Sequence, residues 1–235
     1  MAVQNNLTAA QKFSNAMIEY ESNGIAVKLS PTIVRNYLVN GGGAVTDQEI
    51  VMFLNLCKAQ GLNPFLREAY LIKYGNSAAT IVTGKEVFTK RARRNKDYAG
   101  YEAGVITAKD NEFTYRAGAF VLPGETLVGG WAKVHIKGYS VPIEISVTLD
   151  EYIGTKTNGE VNSQWAKRPA TMIRKVALVQ ALREAFPEDL QGMYEQDEMS
   201  IESPELNEMP IDMNAIQEQL ETITEMSEAE PDPFL

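Results

Sequence analysis

The sequence predicts an α+β fold, with an antiparallel β-rich middle packed with helices and a flexible acidic C-terminal tail. Three observations support this prediction. Apolar residues recur at helical spacing on both sides of the middle of the chain. All 22 basic residues precede position 184, whereas 15 of the 31 acidic residues follow position 186. Four β-like runs lie in the middle, at about 98–107, 112–122, 127–137 and 139–149.

The helical elements are predicted from their capping signals. Ser30 followed by Pro31 starts a short helix. Thr46 and Glu49 form a capping box that starts a longer helix, and Gly61 ends it. The remaining elements are strand-like runs at 69–74 and 79–82 and helical segments at 84–96 and 169–186.

The chain divides into three predicted regions. Residues 1–24 form an N-terminal arm, with one helix around 9–20, that makes oligomer contacts. Residues 25–197 form the predicted core. Residues 198–235 form an acidic tail that is flexible or binds a partner. Within this tail, residues 212–226 have the apolar spacing of a short amphipathic helix.

Composition excludes several classes of protein. No run of eighteen apolar residues is present, so no transmembrane helix is expected, and the N-terminus does not have the pattern of a signal peptide. A single cysteine, Cys57, fits a reducing cytosol, and with a single histidine, His135, it leaves almost no room for a structural zinc site. The glycines at 41–43 lack the Lys-Ser/Thr pair of a phosphate-binding P-loop.

The net charge of −9 hides an asymmetry along the chain. Residues 187–235 carry a charge of −15, whereas residues 1–186 hold 16 acids against 22 bases. A basic body with an acidic tail is typical of proteins that bind polyanions. A solvated surface joined to a disordered tail explains the charge equally well, so charge alone does not decide between the two.

The first concentration of bases lies on the helical segment 84–96. Val87, Phe88 and Ala92 fall within one arc of this helix, which indicates that this side faces the core. The opposite half is basic, and such a face suits contacts with phosphates. The alternative is a helix face exposed to water for solubility. The candidate DNA contacts on this helix are Lys85, Lys90, Arg93 and Arg94.

The second concentration of bases surrounds the start of helix 169–186. Positions seven apart nearly eclipse on a helix, so Lys167 aligns with Arg174, and Arg168 aligns with Lys175. The backbone amides at the helix N-terminus add further donors for an anion.

Four other residues complete the set of candidate DNA contacts. Trp165 can stack on a base, with core packing as the alternative. Arg183 lies on the opposite helix face from Arg174, and a buried ion pair is its alternative role. Arg67 and Lys73 flank the first strand of the middle region.

Three ordered blocks resemble the phage Bet family of recombination proteins, the RecT–Redβ single-strand annealing group. Together they cover most of residues 45–197. The blocks are residues 53–65 with 68–70, residues 82–87, and a third made of 165–169, 172–175 and 180–186. The third begins with Trp165-Ala166-Lys167-Arg168-Pro169.

This resemblance implies an ATP-independent annealing protein, not an enzyme, that requires no cofactor. It implies binding to single-stranded DNA and to annealed duplex DNA by a homo-oligomer, either a ring or a helical filament. It also implies that residues 25–197 bind and anneal DNA, which lies in a positively charged groove between a helical part and the β-rich part. For the acidic tail the resemblance implies docking of a phage exonuclease or a host single-strand binding protein, and competition with DNA for the basic groove is the alternative. The expected location is the cytoplasm of a bacterial host cell, without membrane contact.

The match to the family's basic positions is incomplete. Arg67, Arg174, Lys175 and Arg183 match basic residues of the family pattern. The sequence departs from that pattern at Ala170, Thr171 and Val176, where a relative is basic. Lys167 and Arg168 are the candidate replacements.

Two rival functions remain open at this stage. A passive single-stranded DNA-binding protein fits the β-rich middle and the combination of basic and aromatic residues, but it would not accelerate the pairing of complementary strands. A metal-dependent recombination nuclease needs several convergent carboxylates, and the sequence shows no recognisable cluster of them.

Overall fold

The computed structural model describes residues 16–156, 158–195 and 212–228, and the chain forms two compact units. Unit 1 comprises residues 1–81 and 207–235, and unit 2 comprises residues 82–206. Both units combine helices with β-structure, so the predicted α+β class is confirmed. The division into arm, core and tail stays a prediction.

Unit 1 opens with a β-hairpin formed by β1 (Ile18–Ser22) and β2 (Ile25–Leu29). Asn23 and Gly24 both have positive φ, as a tight two-residue hairpin turn requires. The helix predicted for residues 9–20 is therefore wrong at residues 18–20, and its earlier part lies outside the described residues. Apolar residues in so short a segment fit both the helical and the strand period.

The capping signals of unit 1 act as predicted. The Ser30 hydroxyl accepts a hydrogen bond from the amide of Ile33, and Thr46 and Glu49 form a complete capping box. Gly61 ends the longer helix in the left-handed conformation. The elements are α1 (Pro31–Ile33), a π-helical turn (Val34–Leu38), β3 (Val39–Asn40), α2 (Asp47–Gln60), a 3-10 turn (Pro64–Leu66), β4 (Ala69–Ile72) and β5 (Thr80–Thr83). Strand β3 pairs in parallel with β4, and the sheet order is β3-β4-β5.

Unit 2 is built on a four-stranded antiparallel sheet with the order β7-β6-β8-β9. Its strands correspond to the four predicted β-like runs, although the second ends earlier and the fourth begins later than expected. They are β6 (Tyr98–Lys109), β7 (Glu112–Ala117), β8 (Thr126–Ile136) and β9 (Ile143–Thr148).

The helices of unit 2 are α3 (Lys85–Arg94), α4 (Leu149–Tyr152), α5 (Ser163–Lys167), α6 (Pro169–Ala185) and α7 (Pro187–Leu190). Helix α6 packs against β6, β8 and β9, and α3 packs against α6. The approach of α6 to the sheet is close, because a Cβ atom on Gly130 would lie 2.5 Å from the carbonyl oxygen of Ile173. The central turns of α6 are buried, so this helix forms the core of unit 2.

The last described element, α8 (Met213–Glu228), belongs to unit 1. It confirms the amphipathic helix predicted for residues 212–226, since Ile216 and Ile223 are buried. A cleft of about 800 Å³ is lined by α8 together with Ile25, Val27 and Phe65. The predicted flexibility of the rest of the tail concerns residues that mostly lie outside the described ones.

Candidate nucleic-acid interface

Helix α3 has the two-sided character that its sequence predicts. Val87, Phe88 and Ala92 are buried, and the bases occupy the remaining surface. Arg93 and Arg94 are exposed, whereas Lys85 and Lys90 are half-buried. Bases that lie on a water-exposed face attract phosphates without a prior cost of desolvation.

The C-terminal end of α3 contacts the first acids that follow the basic part of the chain. An Arg91 amino group donates a 3.1 Å hydrogen bond to the carbonyl oxygen of Asp189. The Asn95 amide donates at 2.7 Å to the carboxylate of the same residue. A shallow cleft of about 500 Å³ at this position is lined by bases and acids in similar number, including Lys96 and Glu188. This end of the helix is therefore balanced in charge.

The entry to α6 carries two exposed bases and one buried aromatic residue. Lys167 and Arg168 are exposed, and Pro169 occupies the first turn of the helix as predicted. Trp165 is only 1% exposed and packs closely against Gly154, whose added Cβ would lie 2.9 Å from the indole ring. Stacking of Trp165 on a base would require it to leave the core. The burial of Trp165 therefore favours the core-packing alternative.

The three bases further along α6 are half-buried, and each has a partner in unit 2. The Arg174 Nε atom donates a 3.2 Å hydrogen bond to the carbonyl oxygen of Ala103 on β6. Lys175 Nζ lies 2.8 Å from a carboxylate oxygen of Glu195. An amino group of Arg183 donates to the carbonyl oxygen of Met193 at 3.3 Å.

Arg183 also makes a contact with an aromatic ring. The centre of its guanidinium group lies 5.0 Å from the centroid of the Tyr194 ring, which is within the range of a cation–π interaction. The structure therefore places a carbonyl oxygen and an aromatic ring against Arg183, and its contact with DNA stays a prediction.

Two candidate contacts lie in unit 1. Lys73 is buried, and its Nζ atom lies 2.7 Å from a carboxylate oxygen of Glu49. The hydrogen bond from Lys73, together with the backbone amides of Thr46 and Ala79, lowers the pKa of Glu49 to about 2. Lys73 is therefore better explained as half of a structural ion pair than as a DNA contact. Arg67 is half-buried and has positive φ just after the 3-10 turn.

The structure gathers most of the predicted bases into unit 2, where α3 and α6 pack together. We call these nine residues the basic set. They are Lys85, Lys90, Arg93, Arg94, Lys167, Arg168, Arg174, Lys175 and Arg183.

Sequence reasoning missed the acids and the aromatic residue that contact the two basic helices. Asp189, Tyr194 and Glu195 lie in the last part of the predicted core, and the structure places them against α3 and α6. The available signal was the sudden change from bases to acids after Arg183. A change of charge along a chain predicts attraction, but it does not predict which residues meet.

Two features of the described residues bear on other kinds of site. Within residues 16–156, 158–195 and 212–228, no group of three or more His, Cys, Asp or Glu side chains is arranged to hold a metal ion. No helix in the same residues is both long enough and apolar enough to cross a membrane.

The sheet, the buried helix α6 and the basic set define an α+β protein with positive charge concentrated in one unit. Known proteins identify its family. The model of the RecT family matches residues 26–227, so the chain belongs to the RecT family.

Two relatives illustrate how far the similarity extends. An uncharacterized protein of Ureaplasma parvum serovar 3, UU154, is 31% identical over 160 residues, which cover 65% of this chain and 62% of that protein. The recombination protein bet of Escherichia phage lambda is 22% identical over 160 residues, which cover 66% of this chain and 53% of that protein. The chain thus matches less than two thirds of the length of either relative.

Proposed function

We propose that this protein is an ATP-independent single-strand annealing protein of phage homologous recombination. The observation that carries the proposal is the match to the RecT family over residues 26–227, a range that contains every member of the basic set. The name of the phage lambda relative, recombination protein bet, supports a role in recombination. The nine bases of the basic set supply the charge that binding to a phosphate backbone needs.

The proposed mechanism is electrostatic. Lys and Arg side chains neutralise phosphates and release the counterions that surround the DNA, which favours binding at low salt. Once the phosphates of one strand are neutralised, a complementary strand approaches with less repulsion. Watson–Crick pairing then supplies the sequence specificity, so the protein needs neither a nucleotide cofactor nor base-specific contacts.

We further propose that the protein acts as a homo-oligomer, a ring or a helical filament, in the bacterial cytoplasm. A row of subunits holds a strand extended, so that one basic set follows another along the backbone. The acidic tail docks a phage exonuclease or a host single-strand binding protein. These proposals rest on family membership alone, because the structure contains a single chain.

The first test is the rate at which two complementary labelled oligonucleotides pair in low salt, with and without the protein and without ATP. We expect strong acceleration that is lost as salt is added, because counterion release weakens at high salt. Tight binding without acceleration would replace the proposal with a passive single-stranded DNA-binding protein. Magnesium-dependent loss of labelled DNA would instead indicate a nuclease.

A charge-reversal variant tests the basic set directly. Arg93→Glu combined with Arg168→Glu changes one exposed base at each helix, and we expect it to weaken single-strand binding by at least about tenfold and to abolish annealing. The matched control is Lys109→Glu combined with Lys156→Glu, which makes the same charge change outside the basic set and should stay within about twofold of the unmodified protein. Equal losses in both variants would contradict the assignment of the basic set.

A further inference from the structure

The acidic part of the chain begins inside unit 2, in residues 187–195, which we call the closing segment. Its backbone is anchored by apolar contacts, because Leu190 and Met193 are fully buried. The carbonyl oxygen of Tyr194 accepts a 2.8 Å hydrogen bond from the amide of Thr83, just before α3. The closing segment is therefore part of the folded unit.

The closing segment contacts both basic helices. Through Asp189 it accepts hydrogen bonds from Arg91 and Asn95 at the end of α3. Its last described residues lie against α6, where Glu195 pairs with Lys175 and Tyr194 lies over Arg183.

The spacing of these contacts on α6 follows from helix geometry. Lys175 and Arg183 are eight residues apart, which corresponds to about 12 Å along the axis and about 80° around it, so the two bases share one side of the helix. Residues 193–195 run along this side in the opposite direction to α6, because Met193 meets Arg183 and Glu195 meets Lys175.

The groups that meet these two bases resemble those of a nucleic acid strand. A carboxylate faces Lys175 where a phosphate would bind, since both are anionic oxygen acceptors. An aromatic ring faces the Arg183 guanidinium, as an unstacked base does in single-strand complexes. Tyr194 is 49% exposed, whereas Met193 and Glu195 are buried, so the ring over Arg183 is open to water while the Glu195–Lys175 pair is largely shielded from it.

We propose that Tyr194 and Glu195 form an intramolecular competitor that occupies Lys175 and Arg183 until single-stranded DNA displaces them. This inference rests on the proposed function, because it assumes that the two bases contact DNA. Asp189 and Met193 hold the closing segment in place, while the release of Tyr194 and Glu195 breaks the hydrogen bond from Thr83 to Tyr194. A DNA strand that binds must therefore replace the contact of Glu195 with Lys175 and that of Tyr194 with Arg183. A strand that binds too weakly to replace them is excluded from these two bases.

The test compares Glu195→Gln with the unmodified protein in single-strand binding, using a labelled oligothymidylate at several salt concentrations. Glutamine keeps the size of the side chain but removes its charge, so we expect binding at low salt to be about fivefold tighter. The plot of log affinity against log salt should also be steeper by up to about 0.7, because Lys175 no longer exchanges a carboxylate for a phosphate. The matched control, Glu184→Gln, removes an exposed acid from α6 itself and should leave affinity within about twofold.

If Glu195→Gln bound the oligothymidylate no more tightly than the unmodified protein, and Glu184→Gln bound it normally, the proposed competitor would be overturned. Glu195 would then be only a structural partner of Lys175.

A second measurement, made on the unmodified protein, needs no variant. Hydrogen exchange at the Thr83 amide, which donates to Tyr194, should become faster when the oligonucleotide binds. Unchanged or slower exchange in the bound protein would also overturn the inference. Absence of any binding by the unmodified protein would instead overturn the proposed function.

Discussion

Helices α3 and α6 carry the same kinds of basic residue but hold them in different ways. On α3, Arg93 and Arg94 are exposed on a helix that buries only one narrow side. On α6, which is buried along its central turns, Arg174 and Lys175 are half-buried and hydrogen-bonded to other parts of unit 2. Bases of similar appearance in the sequence are therefore solvated at Arg93 on one helix and already engaged at Arg174 and Lys175 on the other.

This difference separates two contributions to binding an anion. A solvated base acts at longer range and is strongly screened by salt. An engaged base is held in a defined position, so less side-chain entropy is lost on binding, but its present partner must be replaced. On the proposed function, α3 would provide general attraction for DNA, whereas α6 would set where the strand lies.

The largest effect is expected at the entry to α6. Trp165→Ala should lower the free energy of unfolding by about 3–5 kcal/mol, because it removes a fully buried large side chain and leaves a cavity. Denaturant unfolding followed by circular dichroism measures this loss. If the variant kept its stability but lost DNA binding, Trp165 would be a contact after all, and the assignment to the core would be wrong.

A smaller effect distinguishes the two helices directly. Arg174→Ala should lower stability by about 1 kcal/mol, because it removes the hydrogen bond to Ala103, and should also weaken binding. Its counterpart Arg93→Ala should weaken binding and reduce the salt slope by about 0.7 while leaving stability within about 0.5 kcal/mol. Unfolding and salt-dependent binding, measured on both variants, test this difference. Equal stability losses would remove the distinction between solvated and engaged bases.

The smallest effect extends the comparison of solvated and engaged bases to Lys73, which is buried and forms an ion pair with Glu49. Because the folded pKa of Glu49 is lowered to about 2, the Glu49–Lys73 pair stabilises the protein above the ordinary carboxyl pKa of 4.5. This stabilisation should be lost as the pH falls from about 4.5 towards 2. Urea unfolding at several pH values in this range should show a steeper decline for the unmodified protein than for Glu49→Gln. The exposed control Glu21→Gln should retain the decline, and a variant Glu49→Gln that also retained it would contradict the assignment.

Local signals in the sequence predicted most of the elements correctly. The capping box at Thr46 and Glu49 and the proline at the start of α6 act through neighbouring residues, so their geometry follows from spacing alone. The first hairpin was missed although the Asn23-Gly24 pair, a strong hairpin signal, stands at its turn. The apolar spacing before this pair was instead interpreted as helical.

The candidate site was less predictable than the fold. The bases of α3 and α6 were identified correctly as members of two helices, because helical periodicity is a local property. Their partners were not identified. Lys175 meets Glu195 twenty residues later, and Lys73 meets Glu49 twenty-four residues earlier, so both pairs depend on the path of the chain. The local sequence around Lys73 does not indicate its ion pair with Glu49, so Lys73 was predicted to contact DNA instead.

Helix α8 has a consequence for the order in which the protein is made. Unit 1 consists of two stretches of chain, and the described part of the second is α8, which lies beside Ile25 and Phe65. Synthesis of the intervening unit takes on the order of ten seconds, during which the apolar surface that α8 will cover is open to water. A nascent chain without residues 213–228 therefore lacks one wall of this apolar cleft. The first unit is complete only when α8 has been made, after the whole of the second unit.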